Sequence, residues 1–214
     1  MMILGLTGSI GMGKSTATRA FARHGAVIWD ADAEVHRLMA KGGAAVAAVT
    51  TAFPDARVEI TGAAAVDRQI LGKLVFQDAT ALRRLEEILH PMVRRAERRF
   101  LAAAERRRCR LAVLDIPLLF ETGGEARCDA TAVVSAPEFV QRARVLARPD
   151  MTKSKYHAIL ARQLPDREKC RRADFVIQTG LNKRVSVRAS RRIAEILSLR
   201  RGTHWPMCWP AMAN

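Results

Sequence analysis

The chain has 214 residues, with 36 Lys and Arg against 21 Asp and Glu, a formal charge of +15, and 49% hydrophobic side chains. This composition excludes a disordered chain and fits one ordinary domain, and the basic surplus favours anionic partners, either nucleic acid or a phosphorylated small molecule. No apolar run approaches the roughly 20 residues of a membrane span, the start lacks a basic leader, and the four cysteines form no Cys-x-x-Cys pair, so no membrane, a reducing setting and a cytoplasmic location are expected.

Residues 3–7 read as a first strand that runs directly into Gly8-Ser9-Ile10-Gly11-Met12-Gly13-Lys14-Ser15. A helix over about 14–24 follows and stops at Gly25. Residues 26–29 form a second strand that ends at Asp30-Ala31-Asp32. Helical patterns occupy about 33–53, 66–89 and 91–108, so the stretch from about 40 to 110 reads as a helical insertion. Strands at 111–114, 131–134 and 175–177 alternate with helices at about 137–148, 155–164 and 183–199. Residues 202–214 hold two of the prolines and no periodicity, and read as an irregular tail.

Short apolar runs alternating with amphipathic helices predict an α/β fold with a parallel five-stranded sheet and helices on both faces. Ligands of such sheets bind at the carboxyl ends of the strands. The glycine loop, Asp30, Asp32 and Asp115 all fall at those ends, which makes one site there the expectation.

The loop matches G-x-x-x-x-G-K-[ST] at every fixed position and sits between a strand and a helix. Gly8, Gly11 and Gly13 let backbone N–H groups converge on phosphate oxygens, and the helix beginning at Lys14 adds its dipole. Lys14 carries a mobile cation to the β- and γ-phosphates, and the Ser15 hydroxyl suits Mg²⁺. A nucleoside triphosphate is the expected ligand. A guanine-reading Asn-Lys-x-Asp is missing from the sequence, which argues against a GTP switch. Asp115 ends its strand as a magnesium-side aspartate should, but Ile116-Pro117 follow it and the nearest glutamate is Glu121. Activation of water is therefore poorly provided for, and transfer to a bound acceptor fits better. Arg144 and Arg148 stand four apart in a helical pattern that Pro149 closes, and the stretch over about 140–165 reads as an arginine-bearing lid. The residues alone leave open another P-loop nucleoside or nucleotide kinase and, less well supported, a nucleic-acid-binding ATPase.

Further motifs narrow the choice. Asp30-Ala31-Asp32 with His36, Val66-Asp67-Arg68, Val75-Phe76-Gln77-Asp78, His90-Pro91 and Asp115-Ile116-Pro117-Leu118-Leu119-Phe120-Glu121 appear in this order. Gln141, Arg144, Arg148, Gln163 and Ala173-Asp174-Phe175-Val176-Ile177 complete the series. With the glycine loop, this pattern resembles the dephospho-coenzyme A kinase family over about residues 3–198.

The resemblance implies a P-loop NTPase fold with a helical acceptor-binding insertion and a small helical lid. It also implies ATP-dependent phosphorylation of the ribose 3′-hydroxyl of dephospho-coenzyme A, with Mg²⁺. Gly8, Gly11, Met12, Gly13, Lys14, Ser15, Thr16 and Arg148 would bind ATP. Asp32 would orient or deprotonate the hydroxyl, and Lys14, Arg144 and Arg148 would act on the phosphates. Asp32, Asp67, Arg68, Phe76, His90 and Leu118 would meet the acceptor, and Ser15 and Asp115 would hold the metal. Small-molecule substrates, no nucleic acid and a monomer or small homo-oligomer are expected. Two departures stand out: Gln178-Thr179-Gly180 lacks the family's asparagine, and nothing after Arg201 matches the family.

Overall fold

Apolar runs too short for helices become strands, and most of the periodic stretches between them become helices. The computed structural model describes residues 1–76 and 78–209; Gln77 and the end of the tail, 210–214, lie outside them. In chain order these residues form β1 (Met2–Thr7), α1 (Lys14–Arg23), β2 (Val27–Asp30), α2 (Ala31–Met39) and α3 (Val46–Ala52). Next come β3 (Arg57–Ile60), β4 (Ala63–Val66), α4 (Arg68–Phe76), α5 (Ala79–Arg106) and β5 (Leu111–Asp115). The remainder is β6 (Ala130–Ser135), α6 (Glu138–Leu146), α7 (Lys153–Leu160), α8 (Asp166–Arg172), β7 (Phe175–Gln178) and α9 (Lys183–Ser198).

Five strands form one sheet in the order β2-β5-β1-β6-β7, and every neighbouring pair is parallel. β1, β5 and β6 are buried at every position, as strands covered on both faces must be. Leu4, Leu6, Val113, Ala132 and Val134 pack with Phe21 of α1 and Ile193 and Leu197 of α9. Ile3, Ala112, Leu114 and Val133 alternate with them, face the other way and are equally buried. The sheet belongs to a unit comprising residues 1–30 and 101–214.

Residues 31–100 form a second unit, with its own core around Leu38, Val49, Phe53, Leu71, Leu85 and Leu89. The sequence suggests a helical insertion over about 40–110, but this unit also holds a β-hairpin. β3 and β4 pair antiparallel, and the two-residue turn between them puts Thr61 and Gly62 at φ 47° and 76°. Such paired positive angles suit a tight hairpin. The helix expected over 33–53 is two helices, because Gly42 takes φ 71° between them. Conversely, the break expected at His90-Pro91 does not occur. α5 runs 28 residues with Pro91 inside it, and Leu85, Leu89 and Leu101 bury one side on either hand of the proline. Burial of that stripe outweighs the one backbone hydrogen bond the proline removes.

The tail is irregular yet fastened to the amino end of the sheet. Asp129, just before β6, accepts from the Ile3 amide at 2.8 Å through one carboxylate oxygen. Its other oxygen accepts from the Thr203 amide at 2.6 Å, the His204 amide at 3.0 Å and the His204 ring at 2.9 Å. Trp209 is buried, donates to the Arg127 carbonyl and lies under the Arg127 guanidinium.

Burial pushes the Asp129 acid up, but the three amides and the His204 ring outweigh it and hold the carboxyl below its ordinary value. A depressed carboxyl stabilises the fold above the ordinary carboxylate value, and that contribution is lost as pH falls through the depressed one. Asp129→Ala should therefore cost about 2–3 kcal/mol at neutral pH, the scale of losing charge-assisted bonds. Urea unfolding should show the gap to the parent protein closing in acid; a gap that stays constant with pH would remove the charge from the account.

Candidate active site

The turn from β1 into α1 carries the glycine motif. Gly11 and Gly13 take φ 79° and 85°, and Gly13 is the residue on which α1 begins. A Cβ at Gly11 would run into the Val145 side chain and approach the Gln141 carbonyl to 3.1 Å. One at Gly8 would come within 2.8 Å of the Val134 carbonyl. These glycines thus serve close approach to α6 and β6 as well as turning.

Lys14, Ser15 and Thr16 occupy the first turn of α1, an end of a helix that favours an anion, although the Thr16 amide already donates to the Gly13 carbonyl at 3.1 Å. Met12 points the other way. Its side chain is buried in the sheet core, and its sulfur accepts from the Ala136 amide at 3.2 Å. Its amide donates to the Ser9 carbonyl at 3.1 Å, so its backbone closes the turn of the loop.

Asp115 ends β5 opposite Leu6 of β1 and is only 4% exposed. One carboxylate oxygen pairs with Lys14 Nζ, and the other accepts from the Thr18 hydroxyl at 2.7 Å. The two charges expected to act on phosphate and metal are therefore neighbours.

Arg144, on α6, also reaches the loop. It donates to the Thr179 carbonyl at 2.8 Å and lies beside Gly13. The Thr179 hydroxyl donates to the Met12 carbonyl at 2.5 Å, so one threonine joins the loop, the end of β7 and the arginine. Arg148 does not share a helical face with Arg144. α6 ends at Leu146, and Arg148 lies exposed in the following turn, because the residue before Pro149 is disfavoured in helix. Leu118 stands 36% exposed in the turn after β5, a turn held by the Thr7 hydroxyl bonding the Pro117 carbonyl.

The remaining candidates lie in the second unit. Asp32 is exposed in the first turn of α2. Asp67 caps α4, its carboxylate accepting from the Gln69 and Ile70 amides at 2.9 and 3.1 Å. Arg68 and Phe76 are exposed at opposite ends of that helix, and His90 is exposed within α5 rather than capping a helix. Sequence reasoning gave no role to Thr18 or Thr179; a hydroxyl four residues after the loop lysine was the only local signal for the first.

A family model described as dephospho-CoA kinase matches residues 2–183. A protein of that name from Paramagnetospirillum magneticum is 62% identical over 79% of this chain and 78% of its own. Another, from Rhodopseudomonas palustris (strain BisB18), is 54% identical over 92% of this chain and 95% of its own. Among solved structures, a protein of Thermus thermophilus is similar with a TM-score of 0.78 and 33% identity, covering 94% of this chain and 98% of its own. A dephospho-CoA kinase of Campylobacter jejuni shares the fold at 21% identity, with a TM-score of 0.63 over 92% of this chain and 98% of its own.

Lys14→Met should lower the stability of the nucleotide-free protein by about 1–3 kcal/mol, because it strands a buried carboxylate. Adding Asp115→Asn should recover most of that loss. Urea unfolding of both variants decides the matter, and an unchanged midpoint for Lys14→Met would mean that the pair carries no weight.

Proposed function

The chain belongs to the dephospho-CoA kinase family, and we propose that it transfers the γ-phosphoryl group of ATP to the ribose 3′-hydroxyl of dephospho-coenzyme A, giving coenzyme A and ADP. The observation that carries this reading is the glycine loop opening onto α1 with Lys14, Asp115 and Arg144 gathered around it. Phosphoryl transfer needs positioned cations and amides more than covalent help from the protein, and this loop supplies both.

On this reading Gly8, Gly11 and Gly13 offer backbone amides to the phosphates, Met12 holds the turn between them through its bond to the Ser9 carbonyl, and Lys14, Ser15 and Thr16 complete the cradle. Lys14 exchanges one anionic partner for another, leaving Asp115 for the β- and γ-phosphates. Ser15 and Asp115 present a hydroxyl and a carboxylate, the hard oxygen donors that Mg²⁺ takes. Bound between them, the ion would supply positive charge beside the transferring group. Arg144, already beside Gly13, and Arg148, in its exposed turn, clamp the phosphates from the lid. Asp32 orients the 3′-hydroxyl and accepts its proton.

Arg68, Phe76, His90 and Leu118 contact the acceptor directly. Asp67 contributes through the cap that places Arg68. The enzyme works on small molecules, with no nucleic acid or membrane partner, as a monomer or small homo-oligomer in the cytoplasm. The four cysteines are free thiols, and among the described residues no helix is long and apolar enough to cross a membrane.

Purified protein should phosphorylate dephospho-coenzyme A in preference to adenosine, uridine and AMP, with ATP as donor. ATP consumption stimulated by DNA or RNA instead would sink the assignment. Asp32→Asn should lower kcat by about 10²–10⁴-fold with ATP affinity little changed, the usual range for a general base. Asp30→Asn, two residues away, is the comparison; a rate for Asp32→Asn above half the parent value would remove that role. Arg148→Ala should lose far more in kcat than in acceptor KM, since a cation on developing charge is worth several powers of ten. Arg142→Ala should be mild, and equal losses at Arg142 and Arg148 would contradict the lid.

A further inference from the structure

Gln141 and Gln163 have no part in the chemistry above, yet both reach the backbone of one loop residue, Ile10, through the two peptides on either side of it. The Ile10 amide donates to Gln163 Oε1 at 3.1 Å, and Gln141 Nε2 donates to the Ile10 carbonyl at 2.8 Å. A carbonyl requires a donor and an N–H an acceptor, so the backbone dictates which way each side-chain amide faces. Tyr156, on α7, donates in turn to Gln141 Oε1 at 3.3 Å. Gln141 and Tyr156 are 4% and 2% exposed, so water cannot easily replace these bonds. Burial pushes the Tyr156 phenol up, and Glu138 nearby acts in the same direction, which keeps the donor proton in place.

At Gly11 the loop packs closely against Gln141 and Val145, and at Met12 it is held by Thr179 and the Ala136 amide. At Ser9 and Met12 it borders a cavity of about 620 Å³, which Gln141 and Gln163 also line. The glutamines span to the backbone where packing leaves a gap. Gln141 comes from α6, three residues before Arg144, and Gln163 follows α7 by three residues. Both sit on the stem of the arm that carries the arginines.

We propose that Gln141 and Gln163 are positioning residues for ATP. They hold the peptides on either side of Ile10 from behind, so that the amides that follow point at the phosphates, and they link that geometry to the arm bearing Arg144 and Arg148. The inference rests on the assignment of the loop to ATP made above. Its consequence is that the arm cannot rearrange at its stem without disturbing the loop, so nucleotide affinity and arm position are linked.

Gln141→Met and Gln163→Met keep an unbranched side chain of similar length and delete the amide. Steady-state kinetics with ATP and dephospho-coenzyme A varied separately, a fluorescence titration with ATP, and melting temperatures test the proposal. Each variant should raise the KM and Kd for ATP about tenfold, the effect of one buried hydrogen bond, with acceptor KM unchanged. Because both glutamines act on one residue, the double variant should fall short of the product of the two. Tyr156→Phe removes only the supporting hydroxyl and should move ATP KM the same way by about 2–3-fold, which keeps the test valid where a Met variant folds poorly. A lowered melting temperature with ATP KM unchanged, or a change confined to acceptor KM, overturns the proposal. Failure of the parent protein to turn over ATP with dephospho-coenzyme A would instead overturn the function on which it rests.

Discussion

A loop that binds phosphate through its own backbone must leave several N–H groups unpaired on one side, and a backbone cannot then be held there by ordinary pairing. Every restraint has to come from behind. β1 fixes the entry to the loop and α1 the exit. Gly8 rests on Val134 and Gly11 on α6, and Met12 sinks its side chain into the core while Thr179 takes its carbonyl. The order of the sheet follows the same need, since β1 lies between β5, which brings Asp115, and β6, which brings the backing for Gly8.

The pairing of Lys14 with Asp115 extends this logic to charge. A lysine at the mouth of an empty anion site would spend its time solvated and mobile, and fixing it on arrival of a nucleotide would cost side-chain entropy. Storing it on a buried carboxylate keeps it within the site. The register of β5 against β1, Leu6 opposite Asp115, sets this distance. The lysine therefore depends on sheet geometry as much as the loop does.

Features whose cause is local were legible in the sequence. The glycine loop, Gly25 after α1 and the five apolar strands each announce themselves within about ten residues, and each is where it was expected. Features set by tertiary balance were not. The Ala-rich run of β4 has helix propensity, and only its pairing with β3 across Thr61-Gly62 makes it a strand. Pro91 signals a break that burial on either side of it overrides. At the site, Thr179 lies more than 160 residues from Met12 and occupies a stretch that departs from the family pattern. A bond of that span has no sequence signature, and neither have the two glutamines on Ile10.

The strand order also bears on how the chain comes off the ribosome. β1 and β2 are not neighbours, and among the described residues no strand before Leu111 pairs with either of them. The phosphate loop and both strands beside it must wait, apolar and unpaired, while more than eighty further residues emerge. Residues 31–100 fill that interval, and they have a separate core and a hairpin complete within the unit. The inserted segment can therefore order while the sheet that flanks it in sequence is still missing its middle. In a nascent chain the exposed β1 is the segment most in need of a chaperone's cover, and the arrival of β5 ends that exposure.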